Sequence, residues 1–415
     1  MIAARRVRDR SSLRVAFWAK LRSMIAQPSP HFCCLVAFAL LCWGCGDAPV
    51  TAYDPAEAGR QFPEIMASLG AGDPEGALTA IAQIREQTSP EDLPAGLDHY
   101  QAVAHLDAGQ PAEALAALQR ELAAHAGNGA AHLLMAEALL DMGRVAEAPA
   151  HLAQAEQLLN DIPYLSLVSG RVALALDDDP GAQVHLTAYV AQDPLSPRAA
   201  EAHHGLSQIA RRQGDLELAE IERERSAYLE KVNQFLNAYR NRLSESPGDT
   251  EAALGVGMTY LDLYQHYLPD NQLLELAEGA FLAVLSGEPE NARALFNLGF
   301  IATVTDRSDL AHQRYAQALA SEPTHVGALL NDGALSLREG DFDHATEQLF
   351  RGLDAAQQSG DQVRARLELG RLEEARNRPS EAVLHYRAAL AIDASDSRLV
   401  GLEEHLQGLV STAGG

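Results

Sequence analysis

The chain has 415 residues, long enough for two or three ordinary domains or for one extended repeat array. Apolar residues make up 47% and aromatics only 6%; Ala and Leu dominate, no run of alternating Val, Ile and Thr is present, and the expected class is all-α rather than sheet-based. A formal net charge of −25 excludes long-range attraction to nucleic acid or to anionic lipid headgroups, and it fits a solvated helical exterior or a basic partner.

Charge and cysteine are both unevenly placed. Seven basic residues (Arg5, Arg6, Arg8, Arg10, Arg14, Lys20, Arg22) precede residue 45 against one acid, Asp9, which leaves 25 basic and 56 acidic side chains for the rest. All four cysteines (Cys33, Cys34, Cys42, Cys45) fall in the same N-terminal segment, so the remaining 370 residues have neither a disulfide framework nor a Cys-based metal site. The apolar run from Phe32 to Trp43 is too short to span a bilayer, which takes about 20 residues. It has the features of a secretory signal, with basic residues upstream and small residues after it. Gly44-Cys45 followed by Gly-Asp-Ala-Pro resembles a bacterial lipoprotein signal, although Cys42 stands where that family has Leu. The resemblance implies cleavage and lipidation at Cys45, and Gly46 in place of an inner-membrane Asp implies an outer-membrane lipoprotein facing the periplasm. Cleavage near Ala48 to give a soluble periplasmic chain, or an uncleaved segment, are the alternatives. Cys42-Trp-Gly-Cys45 has redox spacing but no strand beside it, and no His follows to attach haem. Residues 1–45 are thus read as signal and 46–57 as linker.

From residue 58 the sequence repeats. Ala114, Ala148 and Ala182 recur at 34-residue intervals, as do Ala102, Ala136 and Gly170; Gly299 with Gly333 and Ala311 with Ala345 keep the same spacing further on. After a three-residue insertion, Gly370, Ala382, Tyr386 and Ala389 continue the pattern. Each copy reads as two short amphipathic helices joined at a Gly- or Asp-containing turn such as "LDAGQPAEA" or "LREGDFDHA". Small residues let the two helices approach closely, and Pro194, Pro289 and Pro323 stop second helices. One hairpin cannot bury its apolar face alone, so neighbours must stack into a solenoid. Residues 58–226 form a first array, 227–249 a connecting helix, 250–395 a second array, and 396–415 a capping helix and tail. In "YLDLYQHYLPDNQLLELAE" the turn is expected to be some seven residues longer than standard.

The unit from Asn291 to His325, with Leu298-Gly299, Ala311, Tyr315, Ala318 and Pro323, resembles the tetratricopeptide repeat, and the likeness extends over roughly residues 58–395. The early Trp of that repeat is missing, and the copies at the start and near Ala219 are degraded. The resemblance implies a right-handed α-solenoid whose first helices line a concave groove that holds an extended segment or helix of a partner. Asn297 and Asn331, 34 residues apart, resemble the asparagine ladder by which some such proteins grip a peptide backbone. An amide suits that task because it both donates and accepts. Glu368 and Val256 hold the matching places in the adjoining units, so two rungs are expected, with Arg293, Phe296, Phe300, Arg364 and Arg371 on the same surface. The full basic clamp for chaperone C-termini is not reproduced.

Chemistry is scarce. The chain has no phosphate-cradling Gly loop, no G-x-S-x-G and no H-E-x-x-H. Its fifteen histidines read as single helix-surface residues, His203 and His204 point about 100° apart, and Asp177-Asp178-Asp179 sits where a turn and helix cap belong. The expectation is a non-catalytic protein-binding scaffold with no cofactor, no metal and no nucleic-acid partner, touching a membrane through its lipid at most. A self-associating structural solenoid, or a cytoplasmic adaptor if the N-terminal segment is not a working signal, are the other readings.

Overall fold

The computed structural model describes residues 62–89, 92–160 and 162–413, and every regular element among them is helical. The chain divides into two compact units between Gln234 and Phe235.

The first unit begins with four antiparallel hairpins. In chain order they are α1 (Pro63–Gly70) with α2 (Pro74–Gln87), α3 (Leu97–Asp107) with α4 (Pro111–Ala124), α5 (Gly129–Asp141) with α6 (Ala148–Leu158), and α7 (Pro163–Ala175) with α8 (Asp179–Gln192). Helix α9 (Ala199–Gln213) and the first part of the 30-residue α10 (Leu216–Glu245) complete it. The second unit holds α11 (Thr250–His266) with α12 (Asn271–Gly287), α13 (Ala292–Val304) with α14 (Ser308–Ser321), α15 (Val326–Glu339) with α16 (Phe342–Ala355), and α17 (Ser359–Ala375) with α18 (Pro379–Ile392). A closing helix, α19 (Leu402–Ala413), follows.

Each hairpin is written in local chemistry. Several second helices begin with Pro in their first turn, where no backbone donor is needed, as at Pro74, Pro111 and Pro379. Other starts are capped by Asn or Asp: Asn128, Asp249 and Asn291 accept from the backbone N–H three residues on. Asp178 caps α8 in the same way, so the acidic triplet is spent on a cap and on ion pairs of Arg212 with Asp177 and Asp179. In most of the hairpins the reversal between the paired helices uses one residue in the left-handed region. Gly109, Gly143 and Gly340 supply it without strain, and where glycine is absent Asp177, Asp306 and Asn377 adopt it, the non-glycine types that do so most readily.

The long hairpin differs from expectation. Its additional residues lengthen the helices, α11 and α12 having 17 residues each against 13 and 14 in α13 and α14, and the connection Tyr267–Asp270 stays short. Continuing a helix satisfies each added backbone group internally, whereas an extended loop would leave them to water.

The periodic small residues lie at the hairpin contacts. Gly170 packs on Leu186, and Gly333 on Leu349; in the second unit Gly257, Gly299 and Gly370 lie against the rings of Phe281, Tyr315 and Tyr386. One apolar core runs from Phe62 to Ile209 in the first unit. In the second unit separate clusters form, each carried by the successive elements α11–α13, α13–α15, α15–α17 and α17–α19.

Candidate functional site

First helices α13, α15 and α17 of the second unit carry most of the residues singled out in the sequence. The structure gathers three of them around one buried tyrosine. Tyr315, on α14, is bonded to Thr303 Oγ1 of α13 at 2.9 Å and accepts from Asn331 Nδ2 of α15 at 3.3 Å. Arg364 of α17 donates to Asn331 Oδ1, and the ring of Phe296 lies 6.3 Å from that of Tyr315 and 4.8 Å from that of His325. A line of hydrogen bonds therefore crosses three successive hairpins. Burial pushes the Tyr315 hydroxyl above its ordinary pKa, so it stays a neutral donor and acceptor. Burial likewise lowers the Arg364 guanidinium against the pull of Glu368.

The other candidates do not join this group. Asn297 donates to the carbonyl of Arg293 in its own helix at 2.9 Å. Arg293 reaches Glu251 and the sulfur of Met258, each at 3.5 Å, and Arg371 pairs with Glu368 at 2.7 Å. Phe300 is half-buried against the α11–α13 cluster. Cys45 lies outside the described residues.

A second constellation was missed in the sequence because its members do not keep the 34-residue period. His312 of α14, Asp332 of α15 and His344 of α16 converge: His312 Nδ1 is 2.6 Å from one Asp332 oxygen, and His344 Nε2 is 2.8 Å from the other. His312 Nε2 is in turn 3.0 Å from Glu339. Asp332 is 4% exposed, while the two imidazoles border a cavity of about 630 Å³ lined also by Ala316, Ser336, Gln348 and Arg351. Partial burial works against charge on His312, but Asp332 and Glu339 outweigh it and hold its pKa above the ordinary value. A faint signal existed: His312 follows Ala311 and His344 precedes Ala345, so the two rings flank equivalent alanines of consecutive second helices. Nor are all other histidines on the surface, since His99 and His203 are buried, the latter against Glu222 at 2.5 Å.

Comparison with known proteins places this geometry. Models of the tetratricopeptide repeat match residues 105–170, and 167–231 with 353–397. A peroxisomal targeting signal receptor of Candida albicans is 29% identical over 126 residues, 30% of this chain, and the match spans 20% of that receptor's length. Among solved structures, pilF of Pseudomonas aeruginosa shares 17% identity over 59% of this chain and 97% of its own, with a TM-score of 0.33. A tetratricopeptide repeat protein from Parabacteroides merdae shares 12% over 75% of this chain and 97% of its own, with a TM-score of 0.32. Likenesses that slight carry no argument about function. The matched repeats, the 34-residue period and the stacked hairpins together identify the chain as a tetratricopeptide repeat protein.

Proposed function

We propose that this chain is a non-catalytic interaction scaffold, lipid-anchored at Cys45 in the outer membrane of a bacterial envelope, that holds an extended segment or helix of a partner protein on the first helices of its second unit. Tetratricopeptide repeats point to protein–protein interaction in general. The finer reading rests on one observation: Phe296, Asn331 and Arg364 are drawn to Tyr315 from consecutive hairpins, which presents an aromatic face, an amide and a guanidinium in a row. Asn297, bonded only to its own helix among the described contacts, adds an amide on first helix α13 that a peptide group can engage. Export and the anchor are supported by the basic, apolar and Gly-Cys order of the first 45 residues. Envelope or secretion assembly is the setting that such an anchor suits.

The test is photocrosslinking in cells from a probe placed at position 297, beside one at position 384 on an exposed residue of α18 and a Cys45→Ala strain. The expected result is one defined protein product from position 297 and none from 384, with intact mass showing acylation that the Cys45→Ala chain lacks. Equal labelling from both positions sinks the groove reading. An unacylated, full-length wild-type chain sinks the export reading.

A further inference from the structure

We propose that His312, Asp332 and His344 form a binding site for one divalent transition-metal ion, with Zn²⁺ the ion the donor set fits best. Two imidazole nitrogens and one carboxylate are borderline donors of the kind that hold zinc through three protein ligands and leave a fourth position open. The cluster supplies those three, one from each of α14, α15 and α16, and ligand atoms of all three lie within 4.8 Å of one another.

Three details separate this arrangement from a chance ion pair. Asp332 is a carboxylate at an interior position of a helix, 4% exposed, with two histidines and, among the described residues, no arginine or lysine at its oxygens. A buried charge needs a partner, and both partners here are metal ligands. Next, the outward nitrogen of His312 is already fastened: Nε2 meets Glu339 at 3.0 Å, which leaves Nδ1 as the inward nitrogen. That is the carboxylate–histidine support which fixes the ring orientation of metal-bound imidazoles. Finally, the change of geometry needed is on the scale of side-chain adjustment. Ligand atoms on a tetrahedral zinc with bonds of about 2.0–2.1 Å stand about 3.3 Å apart. With one Asp332 oxygen as ligand, its 2.6 Å separation from His312 Nδ1 would open by about 0.7 Å as the ion replaces the shared proton, while the set, which spans up to 4.8 Å, would draw together on the metal.

The remaining position faces the 630 Å³ cavity, where water or a donor from a bound partner can complete the coordination. Arg351 lines the same cavity but is turned to Gln348 and to the carbonyl of Pro323, at 3.1 and 3.4 Å, and contributes no ligand. Because the ligands come from two successive hairpins, α13–α14 and α15–α16, the ion would staple neighbouring repeats together.

The experiment uses the full chain, stripped with chelator and dialysed against ZnCl₂, with bound metal counted and melting followed by circular dichroism. Wild type is compared with Asp332→Asn and His344→Gln. Any ion held by the four N-terminal cysteines is common to all three proteins, so the difference between them is the readout. One equivalent lost in both variants is expected, together with a zinc-dependent rise of several degrees in the wild-type melting temperature that neither variant shows. Co²⁺ in place of Zn²⁺ should give visible bands that His344→Gln removes. Equal stoichiometry and equal melting shifts in wild type and His344→Gln overturn the site. His344 is partly exposed, so this variant gives an answer even where Asp332→Asn fails to fold.

Discussion

Glu137 in the first unit and Asp332 in the second meet the same difficulty, an acidic side chain buried on a first helix, and are answered with different cations. In the first unit Glu137 of α5, 1% exposed, takes Arg171 and Arg198 at 3.2 and 2.9 Å and the hydroxyl of Tyr164. Arg171 continues to Asp141 and Glu201, and Arg198 lies 5.0 Å over the Tyr164 ring. Burial works against the Arg198 charge, yet Tyr164 and Glu137 outweigh it and raise its pKa above the ordinary value. A guanidinium keeps its proton at every relevant pH, and it ligates no metal. In the second unit Asp332 is held by imidazoles, whose nitrogens can coordinate metals. The surroundings differ to match. The first unit's apolar core continues on both sides of its network, through Ala136, Ala138 and Tyr164; in the second, Asp332 and Gln348 are buried beside the cavity that borders the α13–α15 and α15–α17 clusters. Guanidinium groups make a structural knot, and imidazoles make a place that can be occupied.

The sharpest way to break this comparison is Glu137→Ala. It leaves two guanidinium groups short of their central anion, and removing one member of a buried ion-pair network costs about 3–5 kcal/mol. Hydrogen exchange should show protection collapsing across α5, α7 and α9 while α13 to α18 keep theirs. A loss below about 1 kcal/mol in urea unfolding would mean that Asp141 and Glu201 already suffice for the two arginines and that Glu137 is not the centre of the knot.

Next in size is a pH effect that belongs to the first unit. His99 of α3 is fully buried, neither ring nitrogen has a hydrogen-bond partner among the described residues, and the ring meets Tyr100 edge-on at 5.3 Å. Burial lowers its pKa from 6.5 to about 4. The folded chain therefore refuses a proton that the unfolded chain accepts, so stability is whole above pH 6.5 and falls as pH drops from 6.5 toward 4. The full shift corresponds to about 3 kcal/mol. In His99→Leu that part of the acid sensitivity should vanish from a series of melts between pH 7 and 4.5. An unchanged slope would show that another group carries it.

What the sequence disclosed, and what it withheld, follows from the physics of each feature. The 34-residue period was legible because small residues at Ala102, Ala136, Gly299 and Gly333 report directly on how closely two backbones approach. The acidic triplet at Asp177 read correctly as turn and cap because capping is local. The extra residues near Tyr264 were placed in a turn but joined the helices, since helix continuation and loop extension share a composition. The His312–Asp332–His344 cluster was hidden for a deeper reason. Its members sit one residue to either side of the repeat positions, and whether they meet depends on rotamers and helix facing that no spacing encodes. Asn297 and Asn331, equivalent by period, turned out to have different partners for the same reason.

The smallest predicted effect sharpens the contrast in how the hairpins are packed. Three of the second unit's hairpins set glycine against an aromatic ring, whereas the first unit has Ala102, Ala136 and, against Leu186, Gly170 at the corresponding positions. A methyl group on Gly370 would stand 2.2 Å from the Tyr386 ring, and one on Gly299 would stand 2.5 Å from the Tyr315 ring. Neither ring can retreat freely, as Tyr386 and Tyr315 are buried. Gly370→Ala is expected to cost about 1–3 kcal/mol by overpacking, offset in part by alanine's better helix propensity. Pairing it with Tyr386→Leu should recover part of the loss, because Gly170 and Gly333 already face Leu186 and Leu349 and a branched aliphatic chain yields where a ring does not. Non-additivity of at least 0.5 kcal/mol in that double-mutant cycle is the signature of direct contact. Simple additivity would show instead that the ring is not what makes alanine costly, and that the glycine–aromatic pairing is incidental to the second unit's packing.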